Sequence, residues 1–249
     1  MGDAATRHPG APCTPRGVSS GIVSELPFTL AEPLVPRLRA AADVEGKIVR
    51  SLEALGPLAG RDVAVVDLPA GPLRDRLAVA GIMPAYLPLT TPLSLDVPDG
   101  SLDAIVTLWS GFRGVDADEL SEVDRALQPD GRLLVVHDYG RDEVSGLADG
   151  DAPEYGEWSR RDGPFLRAAG FKIRVVHCFW TFASIEEARA FLAEAFGSRG
   201  ETVGAAMKRP RLTWNVAVYH RWRGGIAPAP AAVAPSLQPA ARTDGAARR

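Results

Sequence analysis

Two cysteines in 249 residues, Cys13 and Cys178, are too few for a disulfide framework, and their wide separation offers no zinc-ligand spacing. The chain therefore reads as a protein of a reducing compartment, the cytoplasm. No stretch approaches the roughly 18 apolar residues of a membrane span, and the opening MGDAATRHPGAPCTPRG lacks the apolar core of a signal peptide. Neither sign of charge dominates. With 28 Lys and Arg against 31 Asp and Glu, the formal net charge of -3 argues against a broad nucleic-acid footprint. No internal repeat is visible. What the chain does have is 46% hydrophobic residues, enough for one large core in an ordinary soluble domain.

Residues 1–25 and 224–249 are rich in Pro, Gly and Ala, and neither can bury enough apolar surface to offset the entropy of ordering it, so both read as disordered tails. Between them, over 26–223, apolar runs bounded by turn signals alternate with helical periodicity, the pattern of βα units around a buried parallel sheet. Strands are expected at 63–67, 83–88, 103–109, 132–137, 172–179 and 213–220. Val44, Ile48, Leu52 and Leu55 predict a first helix over 43–55. Asp116 with Glu119, and Ser184 with Glu187, have the spacing of N-terminal capping boxes. Pro129-Asp130-Gly131 is expected to end the first of these helices and turn into the next strand, and Gly197 to cap the second.

VPDGSLDAIVTLW followed by ADELSEVDRALQPDGRLLVV carries Pro98, Asp99, Gly100, Ser101, Asp103, Glu122, Arg125, Leu127, Pro129 and Gly131 at a distinctive spacing. This stretch resembles the class I S-adenosylmethionine-dependent methyltransferases, in particular those acting on small molecules; AAGFKIRVV and the late strand extend the resemblance over most of 26–223. The resemblance implies a Rossmann-like α/β fold, a mostly parallel sheet with an antiparallel last strand. It also implies S-adenosylmethionine as cofactor, with Asp67, Leu68 and Gly71 at its methionine end, and a small-molecule acceptor.

The cofactor half departs from that pattern. Aligned on Asp67, Pro69 and Leu73 stand where the family has glycines, and proline has no N–H to donate while leucine crowds the approach. Leu89, Thr90 and Thr91 replace the acid that grips the ribose hydroxyls. Only 36 positions separate Asp67 from Asp103, enough for one helix and one strand, so the fold is expected to be shortened by one βα unit. Two functions follow: methyl transfer to a small molecule, or a methyltransferase-fold binding or regulatory protein without the reaction, a pseudoenzyme.

Ligands of open α/β sheets gather beyond the carboxyl ends of the strands, where His137-Asp138-Tyr139-Gly140-Arg141-Asp142 is expected. His137 or Asp138 could take a proton from the acceptor. Equally, His137 could end the strand and Asp138 or Asp142 bind loop backbone. Tyr139, Tyr155 and Trp158, with Phe165, could line the acceptor site or simply cover the sheet. His177 and Trp180 are expected in the core and Cys178 buried and inert. His220 is expected on an antiparallel edge strand, its end pointing away from the ligand face, so a metal site joining His137, His177 and His220 is not expected. Lys208, Arg209, Arg211, Arg221 and Arg223 near Trp214 and Trp222 could meet nucleic acid, but the overall charge makes it an unexpected partner.

Overall fold

Val63–Val66 (β1) is buried along its whole length because both faces of a parallel strand are covered, which is why the run is apolar without alternation. The computed structural model describes Phe28, residues 30–68, 70–110, Phe112, 114–147 and 158–225. In chain order the helices are α1 (Val35–Ala41), α2 (Lys47–Ala54), α3 (Pro72–Val79), α4 (Ala117–Ala126) and α5 (Ile185–Ala206). The remaining strands are β2 (Ala85–Leu87), β3 (Leu102–Leu108), β4 (Leu127–Asp138), β5 (Lys172–Thr181) and β6 (Arg211–Trp222). They form one six-stranded sheet in the order β2-β1-β3-β4-β6-β5. All pairings are parallel except those of β6, which runs antiparallel to both β4 and β5.

The expected α/β architecture is therefore present, and between Asp67 and Asp103 the chain makes one helix and one strand. Three expectations need correction, and one helix was not expected. β6 lies inside the sheet with β5 at the edge, so His220 pairs on both sides, with Leu134 and Lys172. The first helix begins at Lys47, because Asp43 turns the chain with φ 46 and accepts the Lys47 and Ile48 N–H groups on its carboxylate; Val44 is left 53% exposed. Pro129-Asp130-Gly131 falls within β4 as a bulge, since pairing passes from Leu102↔Leu127 directly to Ala104↔Arg132. α1 was hidden in the sequence by Pro33 and Pro36, which sit in first turns where a missing N–H costs nothing.

The capping expectations hold with altered partners. Asp116 accepts from the Asp118 N–H at 2.9 Å, and Ser184 accepts from Glu187 at 3.1 Å. The returning glutamates reach one or two residues beyond the caps, Glu119 to the Gly114 N–H and Glu187 to the Ala183 N–H. Gly197 does break its helix, with φ 55 and ψ -137, but the chain re-enters helix at once and folds back. Gly200 then packs so tightly that a Cβ there would lie 1.8 Å from the Leu192 carbonyl oxygen.

Two cores flank the sheet. α1, α2, α3 and α5 cover one face around Leu38, Leu52, Val65, Val106, Val136 and Trp214. The other packs α4 and 158–171 on Ile105, Leu133, Val135 and Tyr219. The tails expected at 1–25 and 224–249 lie outside the described residues, apart from Gly224 and Gly225 in a short terminal turn.

Candidate ligand site at the carboxyl ends of the parallel strands

β1 and β3 are neighbours whose next connections leave in opposite directions, β1 toward β2 and β3 toward β4. Such a switch point opens a crevice beyond the strand ends, the usual ligand site of an open α/β sheet. Backbone strain collects there. Of the four non-glycine residues with positive φ among the described residues, Asp67 (60°) follows β1, Trp109 (52°) follows β3 and Arg141 (61°) follows β4. Left-handed backbone at a residue with a Cβ costs on the order of 1 kcal/mol or more, and persists where surrounding contacts hold it.

Those contacts are visible. The Asp67 N–H donates to the Leu87 carbonyl at 2.9 Å, and Asp67 Oδ2 accepts from Ser110 Oγ at 3.1 Å, tying the ends of β1 and β3 together. Ser110 Oγ in turn accepts the Phe112 N–H. Leu68 turns its side chain into the core, 3% exposed, and offers only its carbonyl, which the Arg74 guanidinium occupies. The same guanidinium stacks 3.7 Å from the centre of the Tyr86 ring. Gly71 precedes α3 in an extended conformation with φ 162. Leu73 is buried in the core, and Pro69 lies outside the described residues.

His137 and Asp138 are adjacent in a strand and so project to opposite faces of the sheet. His137 joins the α4 face, its ring 5.1 Å from that of Trp158. Asp138 joins the α1 face, where Trp214 Nε1 donates to Oδ1 at 2.5 Å and Trp109 Nε1 to Oδ2 at 2.9 Å. The two indoles stack on each other with centres 5.3 Å apart. Burial pushes the Asp138 carboxyl up to about 7, against the opposing pull of the two indole N–H donors; Asp142 adds to the rise. Asp142 itself binds loop backbone, accepting from Ser145 and Asn215.

The expected acceptor residues are divided. Trp158 is buried between His137 and Phe165 and covers the sheet with it, Tyr139 is half-buried at the rim with its hydroxyl accepting from Arg141, and Tyr155 lies outside the described residues. Trp180 and Cys178 are in the core, burial pushing the thiol well above its usual range. His177 is the correction: it is exposed and pairs with Asn215 at 2.7 Å, because β5 is the edge strand and its second face is only partly covered.

On the α1 side the crevice narrows to a cleft of about 30 Å³ lined by Arg39, Asp43, Leu73, Arg76, Trp109 and Trp214. That is one water's share of liquid volume, against several hundred Å³ for a small-molecule pocket. Sequence reasoning passed over Trp109, Ser110 and the α1–α2 turn, whose roles depend on distant partners; the tryptophan ending an apolar strand was the one visible signal.

No protein-family model matches the chain, and no curated protein matches it in sequence. Solved structures do share its general arrangement. A Haloferax volcanii protein in complex with the Trm112 methyltransferase activator aligns over 75% of this chain and 92% of its own, at 17% identity and a TM-score of 0.41. An S-adenosylmethionine-dependent methyltransferase from Aquifex aeolicus aligns over 74% and 91%, at 16% identity and a TM-score of 0.37. Likeness at this level concerns fold and nothing finer.

Set against that cofactor, the residues fit at one end. Asp67 and the extended turn before α3 suit its amino-acid end, where a carboxylate and close backbone approach are needed. The ribose end is unprovided: from Leu87 to Leu95 there is no carboxylate, and the Thr90 hydroxyl is engaged with Ser94.

Proposed function

We propose that this chain is a methyltransferase-like protein that takes a methyl group from S-adenosylmethionine to a small-molecule acceptor, with a weakened hold on the cofactor. The observation that carries this reading is the strained, cross-tied set of strand ends at the switch point, Asp67, Trp109 and Ser110, on the segments whose sequence resembles the methyltransferases. S-adenosylmethionine supplies the electrophilic methyl group. Asp67 and Gly71 hold its amino-acid end. His137, on the face that carries Trp158 and Tyr139, is assigned the acceptor's proton, which requires that Trp158 uncover its buried ring, while Asp138, on the other face, positions Trp109.

One specific observation favours a second reading, binding without catalysis: the narrow cleft, combined with the missing ribose carboxylate, leaves little to recognise an adenosine. Calorimetry separates the two. Saturable heat with S-adenosylmethionine and S-adenosylhomocysteine at millimolar ligand or below, weakened at least tenfold by Asp67→Asn, supports the first. A folded protein that takes up neither ligand overturns the first and leaves the second.

A further inference from the structure

At the opposite end of the sheet from the switch point, β4, β6 and β5 present cations side by side. Arg132 of β4 stands opposite Trp222 of β6, His220 of β6 stands opposite Lys172 of β5, and Arg174 follows two residues on. Strand alternation puts all five on one face, that of Leu134, Val136, Val176 and Val218 in the first core. Lys172 and Arg174 are exposed, while Arg132, His220 and Trp222 are half-buried. The Arg132 guanidinium lies 4.5 Å from the centre of the Trp222 ring and donates to the Leu55 carbonyl. Gly56, with φ 152, makes room for it: a Cβ there would lie 1.6 Å from Arg132 Nη1.

Arg132 and the Lys172–Arg174 pair gather positive charge on one face of the sheet, which repels unless acids offset it. Asp130, Asp103 and Glu53 offset this on the Arg132 side. On the β5 side, no acid among the described residues pairs with Lys172, Arg174 or His220. Burial holds the His220 imidazole below its usual range, and the charges acting on it, Lys172, Arg132 and Arg174, are all positive. The cluster spans about 10 Å across two strand spacings and about 13 Å along the strands, from the Arg132–Trp222 level to that of Arg174. Cations interleaved with an indole and an imidazole on an exposed strand face suit a flexible polyanion carrying flat rings.

We propose that Lys172, Arg174, Arg132 and His220, with Trp222, form a docking surface for the phosphate backbone of single-stranded nucleic acid, remote from the switch-point site. The overall charge of -3 conceals this patch, because the cations are gathered by strand pairing from three separate stretches of sequence.

The test is anisotropy of a labelled 12-nucleotide single strand, as RNA and as DNA, against the full chain between 50 and 200 mM salt. Each phosphate contact contributes about -0.7 to the logarithmic salt slope. The double variant Lys172→Glu/Arg174→Glu is expected to weaken binding at least tenfold and reduce the slope by about 1.4. The control Lys208→Glu/Arg209→Glu makes the same charge change at exposed positions just before β6, at its far end. It is expected to leave affinity within about twofold. In NMR titration the His220 imidazole is expected to gain protons at higher pH when the oligonucleotide is bound. Absence of binding, equal losses in both double variants, an unmoved His220, or equal affinity for polyglutamate would each overturn the proposal. Circular dichroism establishes that the variants are folded.

Discussion

Replacing Asp138 by asparagine should remove a loss of stability that the wild-type protein suffers as pH rises. In the folded protein burial holds this carboxyl up to about 7, whereas its ordinary value is 3.8. Between those two pH values the unfolded chain has released the proton and the folded one retains it. Folding stability then falls as pH rises, by about 1.4 kcal/mol per pH unit, and about 4 kcal/mol is lost by the time pH passes 7. The two indole N–H donors to Oδ1 and Oδ2 limit the loss, since they favour the ionised form. Asparagine removes the titration but leaves only one acceptor oxygen for two donors, a cost of about 1–3 kcal/mol at every pH. Wild type should therefore be the more stable protein near pH 4.5, and Asp138→Asn at least its equal near pH 8.5. Urea unfolding followed by tryptophan fluorescence from pH 4.5 to 8.5 measures both curves, and their difference cancels every other titrating group. Parallel curves, within about 0.5 kcal/mol across the range, would show that the Asp138 proton is not held by burial and would refute the reasoning.

Three further outcomes can be checked. Leu89→Asp places a charged acceptor just beyond β2, and a charge-assisted hydrogen bond of about 1.5–3 kcal/mol should tighten S-adenosylmethionine binding about tenfold or more by calorimetry; unchanged affinity would mean the ribose does not lie there. Gly200→Ala drives a methyl group onto the Leu192 carbonyl and should cost about 1–3 kcal/mol in a denaturant titration, while Gly146→Ala, with open space around it, should stay within about 0.5 kcal/mol. Asp116→Ala deletes the acceptor for the Asp118 N–H at the start of α4 and should cost about 1 kcal/mol, whereas Asp116→Ser should recover most of it.

The sequence by itself determined the strands, because a buried parallel strand needs an unbroken apolar run and Val63–Val66, Ala104–Val106 and Leu133–Val136 supply one each. It also determined the caps at Asp116 and Ser184, which depend on residues two and three positions apart, and the short passage from β1 to β3. Tertiary structure decided the rest. β6 enters between β4 and β5 rather than at the edge, a choice between pairings that local pattern does not distinguish, and that choice exposes His177 while gathering Lys172, Arg132 and His220. His137 and Asp138 looked like one motif and became two environments, since neighbouring strand residues point to opposite faces and only the packed partners say what each face holds. Burial in the packed sheet pushes the Asp138 carboxyl up to about 7 while indoles 29 and 76 residues away supply its opposing donors, and no local reading of the chain contains that enclosure.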